Sequence, residues 1–359
     1  MEVFMRLRIF LVVISLILSI LIGMSIARKS GGNQVAASKT RPLIGFSMDT
    51  LKEARWQKDR DIFIAEAKTL GADVLVQSAN SDDSRQMQDV QALISRKIDV
   101  LVIIPHNGEA MAKAVSLAHD AGIPVVAYDR LITKCDLDLY LTFDNVKVGA
   151  IQAQYLIDHL PQKGKGRIVR LYGAPTDNNA KLFKQGQDSV LKPYIDREDI
   201  KVIHEDWVAN WDASNAKKIV NAAITRNGRD FDAILASNDG TAGGAVQALM
   251  EEGLAGKVLV TGQDAELVAC QRIAAGTQAM TVYKPVKALA TKAAELAVNM
   301  AKSKPIIARE VINNGKIDVP SVLLEVVVVD SKNLKDTVIK DGFQSESEVY
   351  GKADTSVVK

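Results

Sequence analysis

The sequence of 359 residues is poor in the residues that form disulfide frameworks and metal sites. It has only two cysteines, Cys135 and Cys270, and four histidines, and none of the six has the close spacing that is typical of a zinc site. This scarcity excludes a small disulfide-stapled scaffold. It also argues against a metal centre built from histidine or cysteine.

The chain also lacks an excess of charge of either sign. Its 45 lysines and arginines face 43 acidic residues, so the formal net charge is only +2. So small an excess cannot hold a nucleic-acid backbone by charge, which disfavours a nucleic-acid partner. The hydrophobic share of 47% is that of an ordinary globular protein, and the length allows two or three domains.

One long uncharged run occupies residues 9–27, near the N-terminus, and is followed by Arg28 and Lys29. As a helix it would be about 28 Å long, close to the roughly 30 Å thickness of a bilayer core. We therefore predict a membrane anchor within residues 1–29, with a cleaved signal peptide as the alternative because Ser25 and Ala27 are small. Residues 30–42 are polar and glycine-rich, which is typical of a flexible tether.

From residue 43 onward, short apolar runs alternate with segments of helical periodicity. Nearly continuous apolar runs are typical of parallel strands that are buried on both faces. The pattern predicts an α/β protein with doubly wound parallel sheets. The ten runs are residues 43–47, 74–77, 100–104, 124–127, 139–143, 167–171, 201–203, 233–236, 258–261 and 279–282.

Ten strands exceed one comfortable sheet, and the polar stretch 144–148 divides them into two groups of similar size. We therefore predict an N-terminal lobe of residues 43–145 plus 285–310. The C-terminal lobe takes residues 146–284 plus 318–343. The polar residues 344–359 are expected to form a loose tail.

Polar residues follow most of these runs, at the strand ends where parallel sheets bind ligands. Carboxylates there can accept hydrogen bonds, whereas arginine, lysine and asparagine can donate them, and tryptophan rings can pack against the C–H face of a pyranose. The charges nearly balance, which favours a neutral polyhydroxylated ligand over a phosphate. The alternative role of each aspartate is a helix cap, which we favour for Asp239, whereas we favour ligand binding for Asp129 and Asp264. Trp207 is a weaker candidate than Trp56 and Trp211, and a place in the core is the alternative for all three.

Several of these segments carry a family resemblance. They are residues 55–61, 99–105, 127–130, 177–183, 236–239, 262–265 and 281–285. Together they resemble the periplasmic D-xylose-binding proteins of ABC transporters, and the similarity extends from about residue 43 to residue 348. Ribose- and galactose-binding proteins and sugar-responsive repressors are similar more remotely. A repressor is disfavoured because the predicted membrane segment stands where its DNA-binding helices would be.

The resemblance implies a type I periplasmic binding protein fold, in which three crossover segments join two domains that close on one monosaccharide. It implies no cofactor, no metal and no catalytic residue. The ligand contacts that it implies are Arg55, Trp56, Lys58, Asp129, Arg130, Asp177, Asn179, Trp211, Asn238, Asp264 and Lys284. Cys135 and Cys270 would then lie in different lobes, so we expect two free thiols, because a disulfide between them would lock the hinge.

The function implied is that of an extracytoplasmic receptor that binds D-xylose, or a related monosaccharide, and delivers it to an ABC permease. A retained membrane anchor departs from the family pattern, so a membrane-anchored sensor that reports to a histidine kinase is the alternative. In either case the body lies outside the cytoplasm, attached by residues 9–27 or secreted if that segment is cleaved. A carbohydrate-active enzyme is disfavoured, since residues 240–244 lack the spacing of a phosphate loop and no catalytic triad stands out.

Overall fold

The computed structural model describes residues 41–351. The predicted anchor at residues 9–27 and most of the predicted tether lie outside the described residues. Within 41–351, no helix is both long enough and apolar enough to cross a bilayer. Residues 42–351 form one compact unit, which consists of two α/β lobes.

The first lobe is built on a seven-stranded sheet with the order β11-β12-β5-β4-β3-β1-β2. All its pairs are parallel except β11 with β12. The elements are β1 Leu43–Met48, α1 Ala54–Thr69, β2 Asp73–Ser78, α2 Asp83–Ser95, β3 Val100–Ile103, α3 Ala112–Asp120, β4 Val125–Tyr128 and β5 Leu139–Phe143, completed by α9 Val286–Ala301, β11 Glu310–Asn313 and β12 Asp318–Leu324.

The second lobe has a four-stranded parallel sheet with the order β7-β6-β8-β9 and an antiparallel pair formed by β10 and β13. Backbone hydrogen bonds from Ala279 to Val260 and from Val282 to Gly262 place β10 beside β9. The elements are α4 Asn145–His159, β6 Gly166–Tyr172, α5 Asn178–Asp196, β7 Ile200–Trp207, α6 Ala213–Asn227, β8 Ala233–Ala236, α7 Asp239–Glu251, β9 Leu259–Val260, α8 Leu267–Ala274, β10 Met280–Tyr283, β13 Val327–Asp330 and α10 Glu346–Tyr350.

Each sheet lies between two layers of apolar side chains, which explains the continuous apolar runs of the sequence. In the first lobe, Phe46 and Val102 pack on one face of the sheet, whereas Leu101 and Ile103 pack on the other. In the second lobe, Val169 and Ile168 likewise belong to different clusters. Successive side chains of a strand point to opposite faces, so a strand covered on both faces must be apolar throughout.

Three short segments connect the lobes: β5 to α4, β10 to α9, and β12 to β13. The last of these corrects the predicted boundary. Residues 318–324, which the sequence pattern assigned to the C-terminal lobe, pair with β5 in the first sheet, and only β13 returns to the second lobe. The apolar run 322–329 looks continuous in the sequence, but the chain leaves one sheet and enters the other in the middle of it.

The part of the predicted loose tail that the structure describes, residues 344–351, is folded. Residues 346–350 form α10, and Val349 packs in an apolar cluster of the second lobe with Leu334, Val338 and Cys270. Gln344 is buried as well. Cys135, by contrast, lies in an apolar cluster of the first lobe, so the two thiols are in separate lobes, as expected.

Candidate functional site

A cavity of about 340 Å³ lies between the lobes, at the carboxyl ends of the strands. Ten of the eleven predicted contacts line it, and Lys58 does not. The lining residues are Glu53, Arg55, Trp56, Asp129, Arg130, Asp177, Asn179, Phe183, Trp211, Asn238, Gln263, Asp264 and Lys284.

Arg55 lies in the first turn of α1 and is surrounded by three carboxylates. Its Nη2 is 2.8 Å from Oδ2 of Asp129, and its Nε is 3.2 Å from Oδ2 of Asp59. Its Nη1 reaches across the cleft to Oδ1 of Asp264 at 3.3 Å. Although burial opposes the charge, Asp129, Asp59 and Asp264 raise the pKa of Arg55 well above its usual value. Arg55 is therefore a fixed cation that already bridges the lobes.

Asp59, one helical turn beyond Arg55, supports it from the side away from the cavity. Its carboxylate is fully buried and accepts hydrogen bonds from Arg55 and from the hydroxyl of Tyr128. Burial raises the pKa of Asp59, while Arg55 acts in the opposite direction. Asp59 was not among the predicted site residues, although its i, i+4 spacing from Arg55 is a signal that could have indicated the pairing.

Arg130 forms the second ionic bridge between the lobes. Its Nη1 is 2.7 Å from Oδ2 of Asp49 in the first lobe, and its Nε is 2.8 Å from Oδ2 of Asp177 in the second. Burial opposes ionisation of Asp49, but Arg130 and His106 lower the pKa of its carboxyl below the usual value. The cation that pairs with Asp177 is therefore also paired with Asp49.

Asp129 lies directly after β4 in a strained backbone conformation. Its φ is 61°, in the left-handed region that residues with a Cβ rarely adopt. Hydrogen bonds hold it there: Thr142 donates to its backbone oxygen at 2.6 Å, and Asn179 Nδ2 donates to its Oδ1 at 3.0 Å. Burial opposes its charge, but Arg55, Lys284 and Arg130 lower its pKa. The carboxylate is thus kept ionised and aimed into the cavity.

Asp177 and Asn238 each combine a cap with a place in the cavity wall. Asp177 caps α5 through a 2.9 Å hydrogen bond from the backbone of Asn179, and its other oxygen accepts from the indole of Trp211 at 3.2 Å. Burial raises the pKa of Asp177, although Arg130 lowers it. Asn238 caps α7 in a capping box with Thr241. A cap and a place in the cavity wall therefore do not exclude each other for Asp177.

Asp239 is not the helix cap that we predicted, because Asn238 occupies the cap position of α7. The Asp239 carboxylate instead accepts hydrogen bonds from Gln278, Thr281 and the backbone of Glu266. These bonds join the segments that follow β8 and β9 to β10 and to the residue pair before it. Burial raises its pKa to about 7.

Two tryptophans line the cavity from opposite lobes. The ring of Trp56 lies beneath the Arg55 guanidinium, and the distance from Cζ of Arg55 to the centroid of the ring is 4.1 Å. Trp211 lies over Gly173, where a Cβ would be only 2.0 Å from the indole, so only glycine fits beneath the ring. Trp207 instead packs against Tyr172, with a ring separation of 5.0 Å, outside the cavity.

Lys284 and Asp264 complete the cavity. The Lys284 Nζ lies 3.5 Å from Oδ1 of Asp264 and close to the rings of Phe143 and Phe183. Asp264, like Asp129, has a strained backbone, with a φ of 96°. Strained aspartates therefore follow strands on both sides of the cleft.

Three lining residues were not predicted from the sequence: Glu53, Phe183 and Gln263. Oε2 of Glu53 and Oε1 of Gln263 are buried and have no hydrogen-bond partner in the described part of the chain. A buried acceptor without a donor costs free energy unless a ligand supplies the donor. Gln263 adjoins Asp264, Glu53 lies two residues before Arg55, and Phe183 lies one turn beyond Asn179 on α5, which are signals that could have found them.

Lys58 is the one predicted contact that the structure places elsewhere. Its ammonium donates to the backbone oxygen of Phe343 at 2.6 Å and to Oε1 of Gln344 at 3.3 Å. Among residues 41–351, no group of three or more histidine, cysteine or acidic side chains is arranged to hold a metal ion.

Known proteins resemble this chain over most of its length. A family model described as a periplasmic binding protein domain matches residues 44–305. The D-xylose-binding periplasmic protein of Escherichia coli (strain K12) is 52% identical over 315 residues, which are 88% of this chain and 94% of that protein.

Two solved structures of sugar complexes share the fold. The carbohydrate transporter solute binding protein from Chloroflexus aurantiacus, in complex with D-glucose, has a TM-score of 0.79 and 35% identity, over 85% of this chain and 97% of its own. An ABC transporter solute binding protein from Clostridium phytofermentans with bound β-D-glucose has a TM-score of 0.78 and 31% identity, over 86% of this chain and 99% of its own.

Proposed function

The chain belongs to the periplasmic binding protein family, with the type I fold, and from that premise we propose that it is an extracytoplasmic receptor for D-xylose or a closely related monosaccharide. It binds the sugar between its lobes and delivers it to an ABC permease. The similar proteins are named as binding proteins rather than enzymes, and both similar structures as transporter components, so a sensor that reports to a histidine kinase is not favoured.

The observation that carries this proposal is the charge pairing within the cavity. Three cations and four carboxylates line it, and arginines from the first lobe pair with Asp264 and Asp177 of the second. These charges largely satisfy one another, so a neutral ligand with many hydroxyls fits better than an anion. Each sugar hydroxyl can donate to a carboxylate and accept from an arginine, lysine or asparagine.

Each lining residue then has a role that follows from its chemistry. The strained carboxylates Asp129 and Asp264 accept hydrogen bonds from hydroxyls, while Arg55, Arg130 and Lys284 donate to hydroxyl oxygens. Trp56 and Trp211 cover the apolar surface of the ring. The unpartnered oxygens of Glu53 and Gln263 accept two further hydroxyl hydrogens.

The sugar acts by favouring the closed arrangement of the lobes. Three short connecting segments allow hinge motion, and groups that bridge the cleft are exposed to water when the lobes separate. A sugar that contacts both lobes lowers the free energy of the closed form alone, and thereby shifts the population. The permease then recognises the closed form. In this proposal residues 9–27 retain the receptor at the membrane surface, or the body is secreted if that segment is cleaved.

A calorimetric titration of the purified full-length chain tests this function. We expect heats of binding for D-xylose and weaker or no binding for a sugar phosphate, because the cavity has no excess of positive charge. We expect Asp264→Ala to weaken D-xylose binding by about 2–3 kcal/mol, or roughly 30- to 150-fold, because Arg55 and Lys284 each lose one carboxylate partner and the sugar loses an acceptor.

The matched control is Asp336→Ala, which removes an exposed aspartate from the second lobe. It should leave the affinity unchanged. Tight binding of a sugar phosphate, or an unchanged affinity for Asp264→Ala, would contradict the assignment of the site. Absence of any binding by a panel of pentoses and hexoses would reject the function itself.

A further inference from the structure

Lys58 joins the two lobes at a point outside the cavity. It lies on α1 of the first lobe, three residues beyond Arg55, and is half-buried. Its ammonium donates to the backbone oxygen of Phe343 and to the side chain of Gln344, and lies 4.0 Å from the centroid of the Phe343 ring. Three favourable contacts therefore converge on one cation.

The segment that receives Lys58 is fixed to the second lobe. The ring centroid of Phe343 lies 5.1 Å from that of Tyr283, and Phe343 packs against the apolar cluster that contains Ala265 and Leu334. Residues 343–344 therefore move with the second lobe, whereas Lys58 moves with the first. Their contact belongs to the closed arrangement alone.

Gln344 also connects this contact to the wall of the cavity. While its Oε1 accepts from Lys58, its Nε2 donates to the backbone oxygen of Ala265 at 2.9 Å. Asp264 and Ala265 both have positive φ, 96° and 49°, a conformation that external contacts must hold. Gln344 supplies one of these contacts at Ala265, the residue that follows Asp264, which we propose binds the sugar.

From this arrangement we propose that Lys58 and Gln344 are positioning residues: they hold the segment of Asp264 in its binding conformation and stabilise the closed lobes without touching the sugar. The proposal rests on the proposed function of the cavity. Helix α1 thus reaches residues 264–265 twice, directly through Arg55 within the cavity and through Lys58 and Gln344 outside it.

Such a contact adds the same free energy to closure around any ligand. Lys58→Met should therefore weaken the binding of D-xylose and of any second sugar that binds by the same factor, about five- to tenfold, mainly through faster dissociation. Gln344→Ala should have a similar effect. Their effects should be less than additive in the double variant, because the two side chains share one hydrogen bond.

The matched control is Lys68→Met, at an exposed position in the last turn of the same helix, which should bind sugar like the unmodified chain. Lys58→Arg should recover most of the affinity, because a guanidinium can also donate to the carbonyl and lie over the ring. The unfolding midpoint of the sugar-free Lys58→Met variant should stay close to that of the unmodified chain, which separates a positioning role from a structural one.

Calorimetry and stopped-flow dissociation of these variants decide the matter. Unequal losses for two sugars would mean that Lys58 contacts the ligand, and an unchanged affinity would mean that the contact contributes nothing to closure. Either result overturns the proposal. If the unmodified chain bound no sugar, the cavity function would fail first, and small-angle scattering of the sugar-free chain would still test the contact. Lys58→Met should then lower the fraction of compact molecules, and an unchanged fraction would overturn the proposal.

Discussion

At the scale of single residues, buried charge is the main feature of this protein. Arg55, Arg130, Asp129 and Asp177 each have an exposed fraction of 5% or less. Buried ion pairs contribute little net stability, because the loss of hydration offsets their attraction. A core of the same volume made of apolar residues would serve folding equally well. These residues are therefore better explained by the ligand that we propose for the cavity than by folding, and the rest of the fold must offset the free energy of burying them.

Through His106, the contribution of this charge network to stability depends on pH. Its Nδ1 lies 2.9 Å from Oδ1 of Asp49, which in turn pairs with Arg130. The hydrogen bond to Asp49 raises the pKa of His106 above 6.5, although burial and Arg130 act against it. Because the pKa is higher in the folded chain, protonation stabilises the fold fully below the unfolded-state pKa, and this contribution is lost as the pH rises through the folded-state pKa.

We therefore expect His106→Gln to lower the free energy of unfolding at pH 6 more than at pH 8.5. Urea unfolding of the sugar-free protein at both values measures the difference. His159→Gln, at an exposed histidine that pairs with no carboxylate in the described residues, is the control. Equal losses at the two pH values would mean that His106 does not titrate against Asp49 in this range.

At the scale of elements, α4 and α5 pack more closely than side chains would allow. A Cβ on Gly149 would lie 2.0 Å from the backbone oxygen of Phe183, and one on Gly186 would lie 2.0 Å from that of Val146. Two glycines therefore bring the helix backbones into contact. Since α5 carries Asn179 and Phe183 into the cavity, this packing determines how far they reach.

Gly186→Ala should separate the two helices, because the clashing atom is backbone and cannot rotate away. We expect a loss of about 1–3 kcal/mol in the free energy of unfolding, from overpacking, together with weaker sugar binding. Lys192→Ala, an exposed change on the same helix, should leave both unchanged. Unfolding titrations and calorimetry test the prediction, and a variant of normal stability would mean that α5 can shift without cost.

At the scale of the whole molecule, the closed arrangement depends on contacts between lobes that are distant in the sequence. Arg55 with Asp264, Arg130 with Asp177, and Lys58 with residues 343–344 all cross the cleft. In the absence of sugar these contacts must offset the hydration that the charged groups lose on closure. A ligand that bridges the lobes adds to them and shifts the population towards the closed form.

We therefore expect saturating D-xylose to lower the radius of gyration of the protein in small-angle X-ray scattering. The sugar concentration is chosen to saturate the unmodified chain but to stay below the weakened dissociation constant of the Asp264→Ala variant. At that concentration the variant should keep the radius of gyration of the sugar-free chain. Scattering profiles that stay identical with and without bound sugar would contradict hinge closure as the response to binding.

The sequence by itself determined most of the strands and helices and most of the residues that line the cavity. Strands buried on both faces must be apolar throughout, and ligands bind at the carboxyl ends of parallel strands, so Asp129 and Asp264 could be identified from their positions after two such runs. These rules depend on residues that are close together in the chain. For that reason the alternation of strands and helices was predictable from local patterns.

The tertiary structure alone decided which distant segments meet. Nothing near Lys58 in the sequence indicates that its ammonium meets residues 343–344, and nothing within the apolar run 322–329 indicates that the chain changes sheets there. The unpartnered oxygens of Glu53 and Gln263 likewise become apparent only when both lobes surround them. The physical reason is that a side chain's partners across a domain interface depend on how the two lobes pack, and that packing sums many weak contacts which no local pattern records.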